Sequence, residues 1–375
     1  MAGASSLLMS LVVALPSQRS TSPQGPVDSN LGTAAVVAVR PRARRPTIMD
    51  VARVAGVSRG TVSRVLNGGH SVRDSKVAVV LDAVDALGYS VNLTARQLRK
   101  GHTGSVAFVI SEEHEHLFED PNFGIRVKAF TRQLEAAGLH LLISIAEDAR
   151  EDVFLGNYLT AGHVDGVLLA MLREGDPLLE LLGSEVPVVV LGRPPGGLEK
   201  SVSWAGMDDE NAAYDATRFL VAQGRKRVGT ITGPLDDTAG QDRLQGYRAA
   251  LDRVYRRGLV SEGDWSLESG RLGSEVLIER YPDIDGLFVA SDLMAAGAMK
   301  SLRRAGRRVP EDVAIVGCDD SPAALTTDPA LTTMRNPFEE TAEAAVHLLH
   351  DLISGRSSEP SHIVLPSQLV QRGSA

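Results

Sequence analysis

Cysteine is nearly absent: Cys318 is the only one in 375 residues. A single thiol excludes an internal disulfide framework and a cysteine-rich metal site, and it suits a reducing, cytoplasmic setting. The usual signatures of catalysis are missing too. No G-x-G-x-x-G follows the first apolar run, no Walker A sequence occurs, and there is no H-E-x-x-H or close His/Cys cluster. His114 and His116, in "HEHLFED", lie two apart in an expected loop and read as solvated polar residues. No nucleophile–base pair can be assembled. The expectation is therefore no catalytic residue, no metal and no cofactor.

A membrane-length apolar run is lacking as well. "SSLLMSLVVALPSQ" is too short to span a bilayer, has no basic segment before it and no clear small-x-small cleavage site after it. Residues 1–45, rich in Ser, Pro, Gly and Ala, are expected to be a disordered leader. The organised pattern begins only at Thr47, which also fits a start site assigned too far upstream.

What is present is a soluble-type composition, 43% apolar and 23% charged, in a chain long enough for two or three units. The net charge of −8 is unevenly spread. Between Arg40 and Lys100 there are twelve Lys/Arg and four Asp/Glu, so that stretch is basic and everything else is acidic. A basic module on an acidic body suggests that the module meets a polyanion and the body does not.

Within the basic stretch, Thr47 or Asp50 caps a helix with Ile48, Val51, Ala52 and Ala55 on one face. Gly56 permits the positive φ of a sharp exit. Ser58 caps a second helix that buries Val62, Val65 and Leu66, and Asn67-Gly68-Gly69 ends it. A third helix runs from about Asp74 to Leu87, with Val77, Val80, Leu81, Val84 and Leu87 inward and Gly88 at its end. Two short helices around a Gly turn, braced by a third, describe a helix-turn-helix whose second helix enters the major groove. Arg59, Gly60, Ser63 and Arg64 then face outward, and Arg suits guanine O6/N7. Spacing alone also fits a three-helix module with a solvated basic face.

"TIMDVARVAGVSRGTVSRVLNG", continuing to "LGYSVNLTARQL", resembles the DNA-binding segment of the lactose repressor (LacI/GalR) family of bacterial transcription regulators. The resemblance implies base-edge contacts from Arg59, Gly60 and Arg64, and backbone contacts from Thr47, Ser58, Thr61, Ser63 and Asn67. It implies that "NLTARQLRK", with Asn92 capping and Ala95 and Leu98 on one side, is a hinge helix that folds on DNA in a dimer. Leu98 would wedge into the minor groove. Read from its residues alone, the segment is a linker too short to be a stable helix in water. Two departures stand out: Val91 replaces the family's usual Pro, and Arg73 its usual Ser, leaving Ser71 or Asp74 as candidate caps for the third helix.

From Gly104 onward, apolar runs alternate with amphipathic segments. "SVAFVI", "LHLLISIA", "VDGVLLA" and "VPVVVLG" form one series; "RVGTIT", "DGLFVA" and "VAIVG" form another. Short apolar runs bounded by Gly, Pro and Asp suit buried parallel strands. The alternation predicts two doubly wound sheets with a ligand cleft at their facing carboxyl ends. The family resemblance extends over this body, where it implies a periplasmic-binding-protein-like effector domain. Asn122 and Phe123, in the loop after the first strand, match pocket positions, as do Met207, Arg243, Ser291 and Asp319. Phe123 would offer a face to a pyranose, and Arg243 with Asp319 would serve vicinal hydroxyls; Phe123 as core and Arg243–Asp319 as a structural ion pair stay open. Asp208 and Asp209 read as caps. "LFEDPNFG" is reminiscent of members that sense glucosides.

The expected architecture is an all-α head over 46–90, a hinge over 91–103 and a ligand-binding, dimerising body over 104–375, its two subdomains interleaved. The tail lacks a heptad repeat, so the extra tetramerisation helix of some relatives is not expected. The expected function is an operator-binding homodimeric repressor released by a small sugar-like inducer, in the cytoplasm and away from any membrane. A corepressor acting at the same cleft, or a sugar-binding transport protein, is the alternative.

Overall fold

The computed structural model describes residues 46–66, 72–89, 102–111, 114–146, 149–173, 175–183 and 185–375. The chain divides into two units, Met1–Val91 and Asn92–Ala375.

In the first unit, α1 (Ile48–Val54), α2 (Arg59–Leu66) and α3 (Asp74–Leu87) enclose a small core. Thr47 is the cap of α1. Its hydroxyl accepts the Asp50 N–H at 3.3 Å, and the Asp50 carboxylate accepts the Thr47 N–H at 2.9 Å. This reciprocal pair satisfies two donors that the helix start leaves over. Asp50 is therefore the third residue of α1, and the Thr47 bonds hold its carboxyl below the usual range. Gly56, at φ +62°, turns the chain between α1 and α2 where a side chain would be strained. Val51, Ala52, Ala55, Val62, Val80 and Ala83 are buried, with Ile48, Val65, Leu66, Val84 and Leu87 packed on them. The stripe on α3 is thus centred on 80, 83, 84 and 87. Leu81, expected inward, is 48% exposed, because it lies a third of a turn away from that stripe. Arg73 occupies the cap position of α3 with no side-chain capping bond, and Asp74 is the first helical residue.

The second unit contains two six-stranded sheets. The first is built from β1 (Ser105–Ser111), β2 (His140–Ala146), β3 (Gly166–Ala170), β4 (Val188–Leu191), β5 (Ser203–Met207) and β11 (His362–Leu365). Their order is β11-β5-β4-β3-β1-β2, all parallel. The second is built from β6 (Val228–Thr232), β7 (Val260–Glu262), β8 (Gly286–Val289), β9 (Ala314–Asp319), β10 (Thr332–Arg335) and β12 (Gln368–Val370). Their order is β12-β10-β9-β8-β6-β7, with only the β10–β12 pair antiparallel. Strands β1, β3, β4 and β9 are apolar on both faces because helices cover both faces. Strand β2 departs from that pattern: it is an edge, and Leu142 and Ile143 are exposed.

The helices of the body are α4 (His114–Glu119), α5 (Pro121–Ala136), α6 (Ala149–Tyr158), α7 (Leu178–Leu182), α8 (Asp209–Ala222), α9 (Thr238–Leu251), α10 (Leu267–Arg280), α11 (Asp292–Arg304), α12 (Pro322–Thr326) and α13 (Phe338–Ile353). His114 and His116 therefore begin a short helix rather than a loop. The chain passes between the sheets three times, after β5, β10 and β11: α8 packs on the second sheet, α13 on the first, and β12 joins the second. Asp208 N–H donates to the Leu365 carbonyl at 2.8 Å and ties two of these crossings together. Among the described residues, no helix is long and apolar enough to cross a membrane.

Candidate functional site

The head presents its second helix. Ser58 accepts the Thr61 N–H at 3.2 Å, and its hydroxyl lies 3.0 Å from that of Thr61, so the start of α2 is capped locally. Val62 is fully buried and sets the rotation of the helix. Arg59, Gly60 and Arg64 are exposed; Thr61 and Ser63 are half-buried. Arg64 lies back along the helix, with Nε donating to the Gly60 carbonyl at 3.3 Å. There is no acidic residue in the first turn of α2, so its exposed start favours an anion such as phosphate. Asn67, Asn92, Ala95 and Leu98 lie outside the described residues.

In the body, the carboxyl ends of the two sheets enclose a cleft of about 1470 Å³, counting its open mouth. Of the six pocket residues expected, Asn122, Met207, Arg243, Ser291 and Asp319 line it. Phe123 does not. Asp120 caps α5 by accepting the Asn122 N–H at 2.9 Å, and Pro121 is the first helical residue. Asn122 and Phe123 thus lie in a helix rather than a loop. Asn122 faces the cleft; Phe123, a third of a turn further, packs on the core of the first sheet and meets the Phe118 ring edge-on at 5.6 Å.

Arg243, on α9, is the centre of the site and is only 6% exposed. Its Nε donates to Asp209 at 2.7 Å, its Nη1 to the Ala290 carbonyl, and its Nη2 lies 3.8 Å from Asp319. The main partner is therefore Asp209, at the start of α8, and the expected Arg243–Asp319 pair is the longer contact. Burial alone pushes the guanidinium towards neutrality, but the neighbouring carboxylates of Asp209 and Asp319 more than reverse this. Asp208, as expected, is the cap of α8, accepting the Asn211 N–H at 3.1 Å.

Asp319 ends β9 with φ +124°, and Asp320 follows at +56°. Two such residues in a row are costly, and backbone of this kind persists where the surroundings over-determine it. Here the Asn336 N–H donates to the Asp319 carbonyl at 3.1 Å, and Arg372 bonds Asp320. Across the cleft, Asn122 Nδ2 donates to Asp319 Oδ2 at 3.1 Å. The other amide atom, Asn122 Oδ1, is buried and accepts no hydrogen bond within the described protein. Ser291 is spent on capping α11, accepting the Met294 N–H at 3.2 Å.

Sequence reasoning missed Trp265. Its ring lines the cleft, lies 5.4 Å from the Arg243 guanidinium, and donates from Nε1 to Asp237 at 3.2 Å. A Cβ on Gly233 would come within 2.1 Å of that ring, so Gly233 is what lets the indole lie there. The available signal was that one of only two tryptophans falls in a polar loop, "EGDWS". Burial raises the carboxyl pKa values of Asp209, Asp237 and Asp319. Asp292, behind the site, is raised by burial and then by Asp319; it accepts the Thr333 hydroxyl at 2.5 Å and the Ser321 N–H at 2.7 Å. Chemically, the cleft offers aromatic rings including Trp265, the guanidiniums of Arg126, Arg193 and Arg243, and several acceptors.

Two family models match. "Bacterial regulatory proteins, lacI family" covers residues 47–92, and "Periplasmic binding protein-like domain" covers residues 217–375. The HTH-type transcriptional regulator CelR of Thermobifida fusca is 42% identical over 337 residues, 89% of this chain and 99% of that protein. Among solved structures, a transcriptional regulator CelR–cellobiose complex is 41% identical at a TM-score of 0.71, covering 88% of this chain and all of that one. A lac repressor dimer bound to operator and the anti-inducer ONPF is 26% identical at a TM-score of 0.78, covering 88% of this chain and 99% of that one. A basic helix-turn-helix joined to a two-sheet cleft, matched along nearly the whole length of such a relative, means that this chain belongs to the LacI family of bacterial regulatory proteins and is a DNA-binding transcription regulator.

Proposed function

We propose that this protein is a cytoplasmic, homodimeric repressor that leaves its operator when the cleft takes up a glucoside, a β-linked glucose disaccharide being the first candidate. The observation that carries the reading is the Arg243 guanidinium, held by Asp209 and Asp319 over the ring of Trp265, with the unsatisfied Asn122 carbonyl across the cleft. A pyranose has an apolar face for the indole and vicinal hydroxyls for a paired donor and acceptor. The likeness to a regulator crystallised with cellobiose supports the same class of ligand.

The division of labour follows: 46–90 reads DNA, 91–103 is the hinge, and 104–375 binds effector and dimerises. Arg59, Gly60 and Arg64 meet base edges, while Thr47, Ser58, Thr61 and Ser63 meet the backbone. Two heads on a two-fold axis fit a pseudo-palindromic operator, and the dimeric state of the lac repressor on its operator supports this arrangement. Closure of the two sheets on a ligand moves the attachment points of the hinges and releases DNA. By linkage, the ligand must then bind the DNA complex more weakly, by about 1–3 kcal/mol. A gel-shift titration on the promoter DNA of the neighbouring genes tests the reading. Cellobiose should dissociate the complex; strengthening of the complex by sugar would instead make the ligand a corepressor. A thermal-shift screen in which no sugar raises the melting temperature would remove the pocket assignment.

A further inference from the structure

Strand β3 reaches from the far end of the first sheet to the cleft. Its last residue, Ala170, lines the cleft, as do Met171 and Leu172 after it. All five of its residues are buried, and it lies between β1 and β4. A strand packed on both sides and on both edges moves as one stiff element. At about 3.3 Å per residue it carries a displacement at the cleft over roughly 15 Å to its other end.

Asp165 stands at that other end, immediately before β3. Its side chain is only 5% exposed, and both carboxylate oxygens are in use. Oδ1 accepts the Thr103 N–H at 2.6 Å, and Oδ2 accepts the Gly104 N–H at 2.7 Å. The Asp165 N–H in turn donates to the Ser105 carbonyl at 2.8 Å. Thr103, Gly104 and Ser105, where the chain enters β1, are thus all tied to this one residue. Two successive N–H groups turned onto one carboxylate form the concave anion site that backbone makes beside a residue of positive φ. Bonds of this kind to a carboxylate are among the stronger hydrogen bonds.

Gly104 is the reason the tie matters. It sits at φ +71°, and glycine has more alternative conformations than any other residue. Left free, it would be a swivel at the junction of the body with residues 91–103. A swivel there would absorb a movement of the sheet instead of passing it along the chain. The Asp165 carboxylate holds the Gly104 N–H and the one before it, and so removes that freedom.

We propose that Asp165 is the positioning residue through which closure of the cleft reaches the DNA-binding head: its carboxylate locks the chain just before β1, so that the first sheet and the hinge move together. This rests on the reading of the protein as an effector-released repressor, and it names the point at which release is transmitted. Asp165 is not among the residues that line the cleft, so transmission can be separated from binding.

Gel shifts of the full chain on the promoter DNA of the neighbouring genes, with and without saturating cellobiose, decide it together with isothermal titration of cellobiose in the absence of DNA. In the unmodified protein, cellobiose should weaken operator binding by about 5–150-fold, the range of an allosteric coupling. In Asp165→Ala that factor should fall to about twofold or less, while the affinity for cellobiose without DNA is unchanged. Asp165→Asn keeps the size of the side chain and one acceptor oxygen. It should give an intermediate factor, and it serves if the alanine variant does not fold. A merely structural contact would alter the melting temperature or the sugar affinity and leave the factor as it was. An unchanged factor in the variants that fold overturns the role of Asp165 and leaves the effector reading standing. No response of the unmodified protein to any sugar overturns the effector reading itself, and the transmission with it.

Discussion

The Arg193 guanidinium and the Asp242 carboxylate meet at 2.8 and 2.6 Å from opposite sides of the cleft. Arg193 follows β4 of the first sheet, and Asp242 lies on α9 beside the second. The contact is reinforced by Thr238, whose hydroxyl donates to the Arg193 carbonyl at 2.6 Å, and Arg173 lies 3.4 Å from Asp236 nearby. These contacts span the two sides, so they bias the closed arrangement of the sheets whether or not ligand is present. Removing them reduces the competent fraction and weakens apparent affinity in proportion. The pair is partly exposed, at 32% and 19%, which limits it to about 1 kcal/mol, or roughly fivefold. Arg193→Ala and Asp242→Asn should each weaken sugar binding by about that factor, and the double variant by no more than either. Additive losses in the titrations would show that the two side chains act separately.

Trp265 depends on Gly233 for its place, since a Cβ there would meet ring atoms at 2.1 Å. Gly233→Ala must therefore move the indole away from Arg243. Trp265→Ala removes it. Both variants should lose about tenfold in sugar affinity, near 1.4 kcal/mol, the upper part of what an aromatic contact contributes beyond burial of its area. Intrinsic fluorescence gives a direct reading. The only other tryptophan, Trp204, is 7% exposed and stacked on His362 outside the cleft, so the ligand-induced change should vanish in Trp265→Phe. A persisting change would place the ligand elsewhere.

Much of this was legible in the chain because it is local. The caps Thr47 and Ser58, the turn at Gly56 and the apolar runs of β1, β3, β4, β6, β8 and β9 each depend on neighbours a few residues away. The short strands β7, β10, β11 and β12 carry no such run; they exist because another strand lies beside them. Phe123 looked like a pocket residue while Asp120-Pro121 was read as a loop. Once those two start a helix, the ring is turned onto the sheet. Asp209 looked like a cap because its partner, Arg243, is 34 positions away. Trp265 was silent for the same reason: its role is set by Gly233 and Asp237, on another loop of the same sheet.

Asp292 and Asp319 make stability depend on pH in an unusual direction for carboxylates. Both are pushed above the ordinary value of 3.8 by burial. A raised folded-state pKa means that the native protein holds protons which the unfolded chain has already released. The associated stability is present below the unfolded value and is lost as pH rises through the folded ones. Asp292→Asn keeps an acceptor for the Ser321 N–H and a polar group beside Thr333, but cannot ionise. Its melting temperature should change less than that of the unmodified protein between about pH 5 and pH 8, and should exceed it at the upper end. Parallel curves over that range would mean that Asp292 does not titrate there.

In the head, the base-reading role proposed for Arg64 and Arg59 makes a different prediction from the capping role of the hydroxyls. Arg64 is exposed on α2, restrained by its bond to the Gly60 carbonyl, and a bidentate arginine–guanine contact discriminates by about 1–3 kcal/mol per base pair. Arg64→Ala should lose that amount against the preferred operator and nothing against operators already mutated at its base pair. Thr47→Ala acts otherwise: it breaks the reciprocal bonds with Asp50, loosens α1 by about 1 kcal/mol, and weakens binding to all operator sequences alike. Gel shifts over a set of single-base operator variants separate the two patterns, and the salt dependence of each complex should stay steep because the phosphate contacts remain. If Arg64→Ala weakens binding uniformly across the set, the residue serves the DNA backbone and the base-reading role passes to Arg59 and Gly60.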